Sequence, residues 1–247
     1  MNRRWWCAGL ALAVGCAPGA SAPAKSTLIV GIDVSGSFTP QYPDAIDFAG
    51  YYIYAHLHGL GGLSVPTALF VSSIGGTTPG EAKAFHPIDD FTNRTPDQIA
   101  ADLRTWFPSR DAITDFNVFF RDVASLAHER GLILAPLNVV ILSDGVPDVP
   151  GTLHPSETAA IGRVDVQPLE YLSRSVTVRL LYASPKVGDE WQRLVPRRRV
   201  RLWTEEAPVM VGWRRQVADS APPEAQDSLW RWVARNVDFR ARAATLF

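Results

Sequence analysis

The sequence predicts an α/β domain, a doubly wound and mostly parallel six-stranded sheet with helices on both faces. Three observations carry this. Apolar runs of strand length (Thr27 to Ile32, Val65 to Ile74, Leu137 to Leu142, Val176 to Tyr182) alternate with stretches of helical periodicity, the order of βαβ units. Two of those runs break off into oxygen-bearing residues, Asp33-Val34-Ser35-Gly36-Ser37 after the first and Asp144, followed by Gly145, after the other, as strands do when they deliver ligands to the carboxyl end of a sheet. The chain of 247 residues is 47% apolar, enough to fill one large core.

The elements follow in order. Arg3 and Arg4 precede an apolar run from Trp5 to Gly15, too short for the roughly 20 residues that span a bilayer and right for a signal-peptide core. Ala13-Val14-Gly15-Cys16 resembles a bacterial lipobox, with Ala13 where leucine is usual. The expectation is a signal peptide over 1–15, lipidation of Cys16, a flexible tether over 16–26 and the folded domain over 27–247. That makes the protein exported and lipid-anchored to the cell envelope, on the outer-membrane or periplasmic side in a Gram-negative cell. Cleavage before Cys16 leaves one of the two cysteines and no intramolecular disulfide, and it takes the formal net charge from −1 to −3.

After the first strand, Ile46, Ala49, Ile53 and Leu57 predict a buried helix over Pro43 to His58. Its His56 and His58 stand about 200° apart and cannot share a metal. Gly59, Gly61 and Gly62 end that helix before a second strand over Val65 to Ile74, and Lys83 to Ile88 reads as a short edge strand. Thr95-Pro96-Asp97-Gln98 is a capping box with proline at the first helical position, opening a helix that stops at Pro108. Phe116, Phe119, Phe120, Val123, Ala124 and Ala127 make the next amphipathic helix, with Asp115 as its N-cap. Beyond the fourth strand, Pro147, Pro150 and Pro155 mark a loop with only short helical stretches before Tyr171. A fifth strand over Val176 to Tyr182, a short helix over Asp189 to Leu194, and a sixth strand over Val200 to Thr204 complete the sheet. A last helix over Pro223 to Phe239 aligns Ala225, Leu229, Trp232, Val233 and Val237 on one face.

Asp33, Ser35 and Ser37 lie at i, i+2 and i+4, so an extended or gently turning chain points all three to one side. Oxygen-only groups of this kind suit a hard cation such as Mg²⁺ or Ca²⁺. With Thr114 before a helix and Asp144 after the fourth strand, the pattern resembles the von Willebrand factor type A family and its metal-ion-dependent adhesion site. The resemblance runs from about Thr27 to about Thr204. It implies that Ser35, Ser37 and Thr114 bind the metal directly, with Asp33 and Asp144 acting largely through water. Mg²⁺ (or Ca²⁺ or Mn²⁺) is the implied cofactor, and a protein partner's acidic side chain the implied sixth ligand. Ala112-Ile113 departs from the family, which often has glycine just before the threonine.

A formal net charge of −1 gives no hint of nucleic acid. Arg197-Arg198-Arg199 with Arg201 reads as the solvated start of a strand. A haloacid-dehalogenase-like phosphatase would need an aspartate two residues after Asp33 as general acid, and Ser35 stands there. No GxxxxGK, GxSxG or HExxH motif occurs. The expectation is a non-enzymatic, metal-dependent binding or adhesion module, with a metal-free scaffold of an envelope complex as the alternative.

Overall fold

The computed structural model describes residues 26–78, 80–110, 113–148, 156–173 and 175–239. The leader, Cys16 and the tether up to Lys25 therefore lie outside the described residues, as does Ala112. The strands are β1 (Thr27–Asp33), β2 (Ala68–Ile74), β3 (His86–Pro87), β4 (Leu137–Leu142), β5 (Val176–Ala183) and β6 (Val200–Glu206). They form one sheet in the order β3-β2-β1-β4-β5-β6, parallel throughout except for β3. The chain winds outward from β1 to β2, then crosses back to β4 and winds the other way. The strand order thus reverses between β1 and β4, where such sheets bind ligands.

Every residue of β1 is buried, as a strand covered on both faces requires. Leu28, Val30 and Ile32 join one core with α1 (Tyr42–His58), α2 (Pro96–Trp106), α7 (Ala207–Met210) and α8 (Asp227–Asn236). Ile29 points the other way, into a core with α3 (Phe116–Glu129), α4 (Glu157–Ile161), α5 (Gln167–Glu170) and α6 (Pro185–Leu194). Gly31 also faces that side, where a Cβ would lie 2.6 Å from the tip of Phe119.

Most of the expected elements are present. The Thr95 capping box and the Asp115 N-cap form as expected, and His56 is buried while His58 is exposed. Four details differ. The second strand begins at Ala68 rather than Val65, because Pro66 cannot donate to a ladder. Only His86–Pro87 of the expected edge strand pairs; a 3-10 turn over Ile88–Asp90 takes the rest. The helix expected from Asp189 starts at Pro185, capped by the Ser184 side chain on Val187 N–H. The last helix covers Asp227–Asn236 only, after a separate 3-10 turn over Pro223–Ala225, and it buries Trp230 where Trp232 was expected.

Candidate metal centre

β1 ends at a fully buried carboxylate. Asp33 Oδ1 accepts hydrogen bonds from Ser35 N–H at 2.9 Å and from the Thr114 hydroxyl at 3.4 Å. Its Oδ2 accepts from the Ser143 hydroxyl at 2.5 Å. Two turns of loop bring the next donors round, with Ser35 and Ser37 Oγ 3.2 Å apart. Ser35 and Thr114 are buried, while Ser37 opens to solvent. Asp144, half-buried after β4, accepts from Val146 N–H at 3.0 Å. The five residues singled out in the sequence therefore converge at the carboxyl ends of β1 and β4.

The Thr114 loop is held from both sides. Ile113 forms an isolated antiparallel bridge with Gly76, N–H to carbonyl in both directions at 2.9 and 3.1 Å. Gly75, at φ +81°, makes room for it, since a Cβ there would sit 1.8 Å from the Ile113 carbonyl oxygen. On the far side, Asp148 takes the Thr114 N–H at 2.7 Å and returns its own N–H to the Thr114 carbonyl at 2.9 Å. The residue before the threonine is thus fixed by a neighbouring strand end instead of by glycine.

Ser143 and Asp148 are the parts that sequence reading missed. Ser143 is buried and bonds both Asp33 and the Gly145 N–H, tying the two strand ends together. The only local signal was a hydroxyl placed one residue beyond an apolar strand. Gly145 adopts φ +81°, and its carbonyl accepts the indole N–H of buried Trp191 at 2.7 Å. This fixes the backbone just past Asp144.

The electrostatics call for positive charge. Burial pushes the Asp33 carboxyl up from 3.8 to about 6, against hydrogen bonds from Ser143 and Ser35, and the nearby Asp144 charge adds to the rise. Burial likewise raises Asp144, opposed by Val146 N–H and the Ser37 hydroxyl. Neither carboxylate ion-pairs with a side chain among the described residues. Two acids and three hydroxyls are a donor set for a hard cation. That set differs from a cluster of three or more His, Cys, Asp or Glu, of which the described residues hold none.

The fold is doubly wound α/β. No protein-family model matches the chain, and no curated protein matches it. Among solved structures it is similar to proximal thread matrix protein 1 of the mussel byssus with a zinc-occupied MIDAS motif, at 11% identity and a TM-score of 0.45, over 78% of this chain and 46% of that one. It is also similar to the SpaC pilus adhesin of Lactobacillus rhamnosus GG, at 14% identity and TM-score 0.48, over 78% of this chain and 30% of that one. A third is the SpRpn10 VWA domain, at 9% identity and TM-score 0.42, over 82% and 93%. The chain spans less than half the length of the first two. Likeness at this level is one of backbone path and lends the site no residue, so the site rests on its own geometry.

Proposed function

We propose that the chain is a von Willebrand factor type A-like binding module that takes a divalent cation at Asp33, Ser35, Ser37, Thr114 and Asp144. Through that cation it binds an acidic side chain of a protein partner. The observation that carries this is a fully buried carboxylate with no ion-pair partner among the described residues, ringed by hydroxyls from separate loops at a strand switch point. The hydroxyls of Ser35, Ser37 and Thr114 would hold the metal, and the two aspartates would balance its charge. Neutral nearest ligands leave the cation electron-poor, which favours an anionic oxygen as the remaining ligand.

The reading is non-enzymatic. Asp33 has both oxygens occupied and no exposed surface, a poor nucleophile, and Ser35 cannot serve as the general acid that a phosphatase of this kind needs. The proposal extends to attachment, with a lipidated Cys16 holding the domain at the outer face of the envelope. Intact mass of membrane-extracted protein tests that point, since an unacylated N-terminus beyond Cys16 refutes it.

Calorimetric titration of Mg²⁺, Ca²⁺ and Mn²⁺ tests the site. Binding is expected in the wild type and lost in Asp33→Ala and Ser37→Ala; unchanged titrations in both variants overturn the assignment. Partners crosslinked in the native envelope should be lost on chelation and in Asp144→Ala. Survival of the same partners under both conditions replaces this reading with the metal-free scaffold.

A further inference from the structure

Parallel strands share a direction, so the segments leading into β1, β2, β4, β5 and β6 all lie along one rim of the sheet, opposite the metal centre. Five large apolar side chains are exposed among the described residues, and four of them lie on this rim. They are Val65 at 55%, Ile133 at 38%, Leu134 at 72% and Tyr171 at 76%. Taken in sheet order, Val65 precedes β2, Ile133 and Leu134 precede β4, Tyr171 precedes β5, and the exposed Arg198 and Arg199 precede β6.

The rim is built to present these groups. Leu134 sits at φ +75°, a region costly for a side chain of its shape, and its N–H is tied to the Leu172 carbonyl at 2.9 Å. Neighbouring strand entries are stitched in the same way, Thr67 N–H to Ser26 O at 2.8 Å and Thr27 N–H to Pro136 O at 2.9 Å. Beside the arginines, the buried Glu170 carboxylate accepts the backbone N–H groups of Arg198 and Arg199 at 2.5 and 3.0 Å. The Glu170 carboxylate is therefore committed to the backbone. Neither guanidinium has an ion-pair partner among the described residues.

We infer that this rim is a membrane-facing surface, which lays its apolar and tyrosine side chains into the headgroup layer and its arginines against anionic lipid. Aliphatic tips, an amphipathic phenol and unpaired guanidinium groups on one edge match the chemistry of that interface. The position of the chain start selects the membrane over other occupants. Ser26 lies on the rim between Val65 and Leu134, and the ten residues from Cys16 to it reach at most about 35 Å. A lipid on Cys16 thus makes this rim the part of the domain where the tether begins. The inference rests on the proposed anchor for where the membrane lies. It adds the orientation, with the metal centre turned outward about 20 Å above the rim, the length of β1.

The test uses the whole chain, reconstituted into nanodiscs of phosphatidylglycerol with phosphatidylethanolamine or of phosphatidylcholine alone, with amide exchange followed at residues 131–136, 171–173 and 196–199. Exchange should be slower on the anionic discs. In Arg198→Gln, Arg199→Gln the protection should vanish while the chain stays attached, and in Leu134→Ser it should weaken. Equal exchange on both discs overturns the surface. If the chain carries no acyl group and joins neither disc, the anchor reading fails by itself, and the same chain is then floated with phosphatidylglycerol vesicles. Flotation that falls about thirtyfold in the double arginine variant keeps the surface; no flotation overturns it. Protection without lipid that grows with protein concentration means a second copy covers the rim, and this also overturns the proposal.

Discussion

At the carboxyl end of β1 a carboxylate is sealed from water and hydroxyls gather around it, whereas at the amino end of the same sheet leucine, isoleucine and tyrosine face solvent beside exposed arginines. Each end breaks the rule that polar groups face out and apolar groups face in. The cost at the first end is desolvation: moving Asp33 from 3.8 to about 6 opposes its ionised form by roughly 3 kcal/mol at neutral pH. At the second end the cost is apolar surface left in water. On the proposed reading a ligand removes each cost, a cation in one case and a bilayer in the other.

The contrast can be broken most severely at Gly75. Gly75→Ala puts a Cβ into the Ile113 carbonyl and adds strain at φ +81°, so it should destabilise the domain by about 3 kcal/mol or more and abolish cation binding. Gly80 has φ +75° but open space around it, so Gly80→Ala should cost only about 1 kcal/mol and leave binding intact. Denaturant melts and calorimetry of the two variants check the pair.

Removing the buried charge sharpens the comparison. A saturating divalent cation at a hundredfold over its Kd should stabilise the wild type by about 2.7 kcal/mol, a rise of some 5–10 °C in Tm. Asp33→Asn should melt higher than the wild type without cation, because the desolvated charge is gone, and should show no rise with it. A metal-dependent rise in Asp33→Asn, read by scanning calorimetry, would count against the site.

Ser143→Ala leaves Asp33 Oδ2 without its donor, and losing a buried charge-assisted bond should cost about 1–3 kcal/mol. Added cation should restore part of this, since it stabilises the same carboxylate. The smallest effect lies near the amino end. Burial holds His56 below its ordinary 6.5, against the charge of Asp238 and the Ser64 carbonyl and together with Arg179. Its neutral form is the folded one, so its contribution is complete above pH 6.5 and is lost as pH falls through the lowered value. The fall in Tm from pH 7.5 to pH 5 should be smaller in His56→Gln than in the wild type.

Much of the site was legible because its signals are local. The stretch from Asp33 to Ser37 carries its meaning within five residues, and Asp115 caps the helix that begins beside it. Ser143 was not, because the group that gives it a role is 110 residues away. Nor was Asp148, whose clamp on Thr114 exists only once the loops meet. The last helix failed for a different reason. Buried Gln226 binds the backbone of Ala218 and Ala221, which ends one turn and starts the next in a new phase. The face that buries Leu229, Trp230 and Val233 is therefore offset from one counted from Pro223.

Trp191 has a consequence of an optical kind. Its indole is wholly buried, stacked edge-on against Phe116 and bonded to the carbonyl one residue past Asp144. An indole N–H in that position couples its excited state to the peptide that carries the Asp144 loop. Any rearrangement that turns the Gly145 carbonyl would alter the local field on the ring, and with it the colour and yield of its emission. The protein thus holds its own fluorophore next to the carboxylates, and a chain keeping Trp191 as its sole tryptophan would let the centre be watched by light without an added label.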